Sequence, residues 1–343
     1  LTGDSTAHDR SVVGGALCQP GAFDLPVGWW PIGQSAEVTA QPRAVRLGAQ
    51  SVVVYRDVGG AVHALLDRCP HRRLPLSKGR VTRDGLQCGY HGWTFDGAGQ
   101  CTLIPNFRPA ESPSSRIQVD AYPAGEAEGL AFLWTGGGQP PSVAEAALPP
   151  TSGSRQPGGA AFRIAALVRS PYQQVMEVLL HNPGAWLGLG LLFGAGAEVF
   201  GPELVPGGDE HAVAVRRERR GMDPPMISTF DPPFDGYARS ALITTIVATG
   251  ITEVIAEAPG GGVFRAVIGL TPEGPHRTAV RGHVRARGAR ARALLTACRP
   301  VVAGRRLTGR AVRALEAATD VAPTASDPAL ERLRHLRADV GLS

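Results

Sequence analysis

Cys69-Pro70-His71-Arg72-Arg73 and, after sixteen residues counted from His71, Cys88-Gly89-Tyr90-His91-Gly92-Trp93 carry the decisive reading of this 343-residue chain. The two stretches read C-x-H followed by C-x-x-H. Thiolate sulfur and neutral imidazole nitrogen are donors that soft and borderline metals select. Two of each can close a tetrahedral zinc site. They can also serve a two-iron, two-sulfide cluster. Each half supplies one Cys and one His, so two short loops facing one another give one iron two sulfurs and the other two nitrogens. The order of the ligands favours the cluster over zinc.

Outward from the ligands, short β-branched runs at Ala44–Leu47, Ser51–Tyr55, Val62–Leu66 and Leu130–Trp134 are separated by Gly, Pro and Asp turns, the pattern of a small all-β domain. Residues 136–160, GGGQPPSVAEAALPPTSGSRQPGGA, lack a sustained period, as a linker or loop does. Beyond them the spacing predicts a strand over 162–168 and a helix from Tyr172 to Leu180, stopped by His181-Asn182-Pro183-Gly184. Alternating strands follow at Ala212–Arg217, Ala241–Ala248, Thr252–Ala256, Val263–Gly269 and Arg277–Val284, and the tail from Arg290 to Val340 has helical spacing. The expected fold class is α+β. Its expected segments are an extension (1–23), a β-domain (24–136), a linker (137–160) and a second domain (161–343).

Composition narrows the function. Apolar residues make up 43% and charged residues 19%, and no uncharged apolar run approaches the roughly 18 residues needed to span a bilayer. The net charge is +5 with a pI near 9.2, yet Lys78 is the one lysine and arginine supplies every other cation. With Ala, Gly and Pro abundant, this reads as compositional bias and not as a phosphate-binding face. Neither nucleic acid nor membrane is an expected partner. Five cysteines, Cys18, Cys69, Cys88, Cys101 and Cys298, form an odd, widely spaced set, which argues against a secreted disulfide framework. Without a leader-like start, the expected location is cytoplasmic. Cys18 and Cys298 read as ordinary thiols and Cys101 as a packed one. Gly194–Gly196 and Gly260–Gly262 read as turn material without a dinucleotide fingerprint, so electrons must come from a separate donor.

The residues around the ligands give the chain a family likeness. Leu25-Pro26-Val27-Gly28-Trp29-Trp30-Pro31-Ile32, Leu74-Pro75-Leu76-Ser77-Lys78-Gly79, Trp93-Thr94-Phe95-Asp96, Gly99-Gln100-Cys101 and Gly129-Leu130-Ala131-Phe132-Leu133-Trp134 make the region resemble the Rieske domain of Rieske non-haem iron oxygenases. The resemblance implies that Cys69, His71, Cys88 and His91 bind a Rieske [2Fe–2S] cluster. Neither loop holds the extra cysteine of respiratory-chain Rieske proteins. Two neutral imidazoles in place of two thiolates leave the oxidised cluster formally near zero charge, so adding an electron costs less and the potential rises. Tyr90 and Ser77 are candidates for hydrogen bonds to the sulfurs, or else turn residues.

The resemblance further implies a helix-grip (START/Bet v 1-like) second domain whose mononuclear iron is held by two His and a carboxylate, with the helical pattern N-x-x-D-x-x-H-x-x-x-x-H. Placed in that register, this chain has Val178, His181, Gly184 and Leu189, and Ala311 stands where the third ligand is expected. Valine, glycine, leucine and alanine offer no lone pair to iron. Mononuclear Fe(II) is therefore not expected in this chain, and no residue is assigned a catalytic role. Glu177 and His181, spaced i,i+4, read as an ion pair or cap. His181 itself reads as a helix-end histidine or a contact with a neighbouring subunit. Arg216–Arg220 and Arg281–Arg292 read as solvated faces or subunit contacts.

The expected function is a Rieske oxidoreductase component, with its own enzymatic activity left open. It would belong to a trimeric or hexameric hetero-oligomer, relaying electrons to, or scaffolding, a homologous subunit with an intact iron site. A ferredoxin or flavin reductase would be the donor. One alternative is a self-sufficient oxygenase with non-standard iron ligands. Another is a small-molecule-binding module with Leu187–Phe193 in its pocket.

Overall fold

Every β-branched run near the ligands lies in a strand. The computed structural model describes residues 23–105, 116–146, 161–181, 198–205, 212–221, 238–257, 263–288, 312–313, 316–317 and 327–340. In the first region the strands are Trp29–Gln34 (β1), Arg43–Leu47 (β2), Gln50–Arg56 (β3), Val62–Leu66 (β4), Arg80–Thr82 (β5) and Gly85–Gln87 (β6). Thr94–Phe95 (β7), Cys101–Leu103 (β8), Ala121–Tyr122 (β9), Ala124–Ala127 (β10) and Leu130–Trp134 (β11) complete it. Three small antiparallel sheets result, in the orders β2-β3-β4-β9, β5-β6-β7-β8 and β1-β11-β10.

β3 and β4 divide two cores, because successive side chains on a strand face opposite ways. Val52, Val54 and Ala64 face a large core with Trp30 and Leu133. Val53, Tyr55 and Leu65 face a second core with Cys69, Leu76, Leu86, Cys88 and Phe95. The apolar floor of the second core therefore supports the ligand loops.

The short helix Val143–Ala146 (α1) lies in the stretch expected to be linker. Beyond it come Ala161–Val168 (β12), the helix Tyr172–His181 (α2), Glu198–Leu204 (β13), Ala212–Gly221 (β14) and Ala238–Val247 (β15). Ile251–Glu257 (β16), Val263–Gly274 (β17), Arg277–Arg287 (β18) and the helix Pro328–Asp339 (α3) follow. The strands form one antiparallel sheet of order β12-β18-β17-β16-β15-β14-β13. β1, the short strands β5–β10 and β13 were not among those expected from the alternation. β1 is buried along its whole length, which removes the polar alternation that marks a half-exposed strand.

α2 buries Tyr172, Val175, Met176, Leu179 and Leu180, an i, i+3, i+4, i+7 stripe. α3 buries Ala329, Leu330, Leu333 and Leu336. Both stripes join the large core that also holds Trp30 and Leu133 of the first region. At roughly 2 kcal/mol per fully buried large apolar side chain, these helices hold the sheet to the first region through shared apolar burial. Polar ties reinforce it. The Gln34 amide donates to the carbonyls of Ile164 (2.9 Å) and Gly282 (3.0 Å), and the Thr271 hydroxyl donates to that of Pro31 (2.7 Å).

Within the arginine runs Arg287 is exposed, whereas three other residues are tied to distant parts of the chain. Arg217 is 5% exposed and ion-paired. Arg281 reaches Glu37 and the Ala166 carbonyl, while Arg285 reaches Glu128. Their charges serve contacts inside the chain. Cys18, Cys298, Leu187–Phe193, Gly194–Gly196, Gly260–Gly262 and the start of the helical tail lie outside the described residues. Among the described residues no helix is long and apolar enough to cross a membrane.

Candidate metal centre

Two tight loops bring the four predicted ligands together. In the first, the Cys69 N–H donates to the Leu74 carbonyl (2.9 Å) and the Arg73 N–H to the Cys69 carbonyl (2.8 Å). Asp67 closes the loop's base by accepting from the backbone N–H and hydroxyl of Ser77, each at 2.7 Å. In the second, between β6 and β7, the Cys88 N–H donates to the Trp93 carbonyl (2.8 Å) and the Gly92 N–H to the Cys88 carbonyl (3.1 Å). Glycine at 89 lets the loops meet, since a Cβ there would lie 2.8 Å from the Lys78 carbonyl oxygen.

Cys69, His71, Cys88 and His91 line one pocket with Arg72, Leu74, Tyr90 and Trp93. The cysteines are buried and the histidines exposed. The two histidine Nδ1 atoms stand 3.0 Å apart, so at least one lone pair points into the space between them. Trp93 stacks on His71 at 4.6 Å and 8°. The ring of Tyr90 lies 3.8 Å from that of His91. The sequence reading did not foresee either ring contact, although the aromatic neighbours of each histidine were its only available signal.

Electrostatics separates the sulfurs from the imidazoles. Burial pushes the Cys69 thiol up to about 11, and the adjacent Cys88 adds to the rise. The N–H groups of His71 and Arg72 act the other way, by donating toward the sulfur. Such donors stabilise a thiolate once a cation balances it. Desolvation, then the neighbouring His91 and Arg72, hold His71 below the ordinary imidazole value. This favours the neutral ring that a metal requires. Two sulfurs and two imidazole nitrogens directed at one space fit the donor set of a mixed-ligand diiron cluster.

Of the candidate donors to the sulfurs, Ser77 is corrected: its hydroxyl is engaged by Asp67. Tyr90 is 62% exposed and packs on His91. Cys101 is buried, its thiol 3.7 Å from the Leu103 carbonyl, and is absent from the pocket lining.

At the end of α2 the polar groups satisfy one another. Val178 packs against the large core. His181 Nδ1 lies 3.1 Å from Asp327 Oδ2, which also accepts from Arg217 Nη2 at 3.3 Å. Asp327 Oδ1 caps α3 by accepting from the Ala329 N–H at 2.9 Å, and Arg217 Nη1 donates to the Leu180 carbonyl. Glu177 turns to Arg334 and Arg337 of α3, each at 3.0 Å, and so does not make the expected pair with His181. Gly184, Leu189 and Ala311 lie outside the described residues. Asp327 was missed, although Asp327-Pro328 carries the signature of an N-cap followed by proline.

Residues 28–123 match the Rieske [2Fe-2S] domain. The chain is 41% identical over 112 residues to 4beta-methylsterol monooxygenase of Methylococcus capsulatus, covering 32% of this chain and 30% of that protein. It is 41% identical over 114 residues to the 5,5'-dehydrodivanillate O-demethylase oxygenase subunit of Sphingobium sp., covering 32% and 26%. The match thus spans less than a third of either relative's length. In three dimensions the chain superposes on dicamba monooxygenase bound to dicamba with a TM-score of 0.72 and 21% identity, over 93% of this chain and 98% of that one. This likeness shows a shared fold. The first region is a Rieske [2Fe–2S] domain. The relatives that share this domain include a monooxygenase and an oxygenase subunit.

Proposed function

We propose that Cys69, His71, Cys88 and His91 hold the [2Fe–2S] cluster, and that the chain is a subunit of a hetero-oligomeric Rieske oxygenase. It passes electrons to, or scaffolds, a homologous subunit that carries the mononuclear iron. The observation that carries the first part is the convergence of two buried thiols with two imidazole nitrogens 3.0 Å apart. When bound, the cluster supplies one-electron transfer at a raised potential. The chain's residues do the rest. Buried Cys69 and Cys88 keep water from the sulfurs, Trp93 fixes the plane of His71, and the exposed rings of His71 and His91 present the edge through which an electron enters or leaves.

The second part rests on the contrasting end of α2, where Arg217, His181 and the α3 N-cap occupy Asp327 and Val178 packs into the core. A facial triad needs imidazole and carboxylate lone pairs free to converge. The seven-stranded antiparallel sheet carrying α2 and α3 supports a helix-grip reading of residues 161–343, with 24–136 as the Rieske domain, 137–160 as linker and 1–23 as extension. The assembly is trimeric or hexameric, a ferredoxin or flavin reductase is the donor, and the free thiols suit a reducing cytoplasm.

Metal counting tests the proposal. Chain reconstituted anaerobically holds about two irons, as a single [2Fe–2S] cluster requires, and shows a Rieske-type paramagnetic signal on reduction. About three irons would establish instead a self-sufficient oxygenase, the reading favoured by the near-complete coverage of the dicamba monooxygenase fold. Co-expressed with an iron-bearing homologue, Cys69→Ala or His91→Ala abolishes turnover if this chain relays electrons, and leaves it intact if the chain only scaffolds.

A further inference from the structure

The tip of the β10–β11 hairpin is held in a shape that its residues disfavour. Ala127 pairs with Leu130, which leaves Glu128 and Gly129 as a two-residue loop, and both have left-handed φ, +49 and +74. Asn-Gly suits such a loop, whereas a glutamate there is strained by its Cβ. An ion pair fastens it. Glu128 Oε2 accepts from Arg265 Nη1 of β17 at 2.9 Å, and Arg265 also pairs with the buried Glu253 of β16. The Gly129 carbonyl accepts from the Ser35 N–H at 2.9 Å. Gly129 is itself exposed, so the tip stands between water and the residue beneath it, His283 of β18. A Cβ on Gly129 would lie 3.7 Å from the Cε1 and Nδ1 of that ring.

His283 sits among charges from every element around it. Directly opposite stand Arg163 on β12 and Val267 on β17, and Arg281 and Arg285 flank it on the same face of β18. Arg265 and Glu253 lie on the neighbouring strands, Glu128 on the hairpin, and Glu37, which meets Arg281, on the turn after β1. Each of the three carboxylates is already taken by an arginine. The ring's Nε2 is buried without a partner among the described residues.

We propose that the Glu128–Gly129 tip is a proton-released latch between the first region and the seven-stranded sheet, with His283 as the group that takes the proton. While the latch is shut, the ring stays neutral and the ion pairs offset the backbone strain. The ring gains its second proton when the tip lifts and water reaches it. The imidazolium then stands beside Arg281 and Arg285, and closing the tip over it costs the desolvation of an unpaired charge. Acid therefore loosens the joint between the regions while each keeps its own fold.

Hydrogen exchange read by mass spectrometry on the full chain, corrected for the intrinsic pH dependence of amide exchange, tests the latch. The ring titrates near 6.5 when the tip is open and at about 4 when it is shut. The opening equilibrium of residues 124–134 therefore rises about 10-fold from about pH 7.5 to about pH 5.5, while that of α2 is unchanged. His283→Gln abolishes the rise. Glu128→Gln, which keeps the strained backbone and drops the charge, opens the tip about 5-fold more at either pH. A flat profile for the tip in the wild-type chain would overturn the latch, and that measurement needs no variant to fold. An equal rise in α2 would replace it with global acid unfolding, and a rise retained in His283→Gln would give the proton to another group and overturn it as well.

Discussion

The two polar centres of the chain differ in what their atoms have left to give. In the two Cys/His loops, two thiols and two imidazoles converge with few partners of their own, burial pushing the Cys69 thiol upward and the N–H groups of His71 and Arg72 opposing. Between α2 and α3, each oxygen of the Asp327 carboxylate already has a protein partner, and the buried guanidinium of Arg217 reaches a carbonyl as well. Both centres are built where element ends meet. Unsatisfied lone pairs make a ligand site, whereas a closed set of hydrogen bonds makes a structural clasp.

The largest expected effect lies in the loops. Cys69→Ala or Cys88→Ala removes a sulfur that no neighbour replaces, so iron content falls from about two per chain to near zero and the visible absorption is lost. Iron retained at the wild-type level would erase the contrast between the centres. Next is the clasp: Asp327→Ala strands Arg217, 5% exposed, and uncaps α3, destabilising the fold by roughly 3–5 kcal/mol. Chemical denaturation measures this, and a loss below about 1 kcal/mol would show that the network does not hold α2 to α3.

The seam between the regions supplies a smaller, pH-dependent effect. His283 on β18 is buried against Gly129, and its Nε2 lacks a partner among the described residues. Burial first, then the nearby Arg285, lower its pKa to about 4, with Glu128 opposing. The folded chain therefore keeps the ring neutral where the unfolded chain, near 6.5, takes up a proton. Its stabilising contribution is complete above about 6.5 and declines by roughly 3 kcal/mol as pH falls toward 4. His283→Gln flattens that part of the stability–pH curve. An unchanged curve would place the acid sensitivity elsewhere.

Much of this architecture was readable in advance. The runs at Ser51–Tyr55 and Val62–Leu66 are strands because β-branched residues suit a pleated surface. Tyr172–Leu180 is helical because its apolar residues fall on one stripe. The convergence of Cys69, His71, Cys88 and His91 on one pocket was legible because C-x-H and C-x-x-H place donors within single tight loops, whose geometry is local. Arg217 and Asp327 were not, since they are 110 residues apart and no spacing rule joins them. Likewise Ser77 looked like a donor to sulfur until Asp67 was found to hold it.

The sequence by itself determined the two Cys/His loops proposed to bind metal, the all-β character of the first region and the apolar stripe of α2, because each depends on residues within a few positions of one another. Only the tertiary structure decided that Arg217 is buried on Asp327, that Glu177 serves α3, that Glu128 and Arg265 join the two regions at 2.9 Å, and that Trp93 covers His71. These pairings depend on which distant strands and helices pack together, and burial then raises the cost of leaving any charge or polar group unmatched.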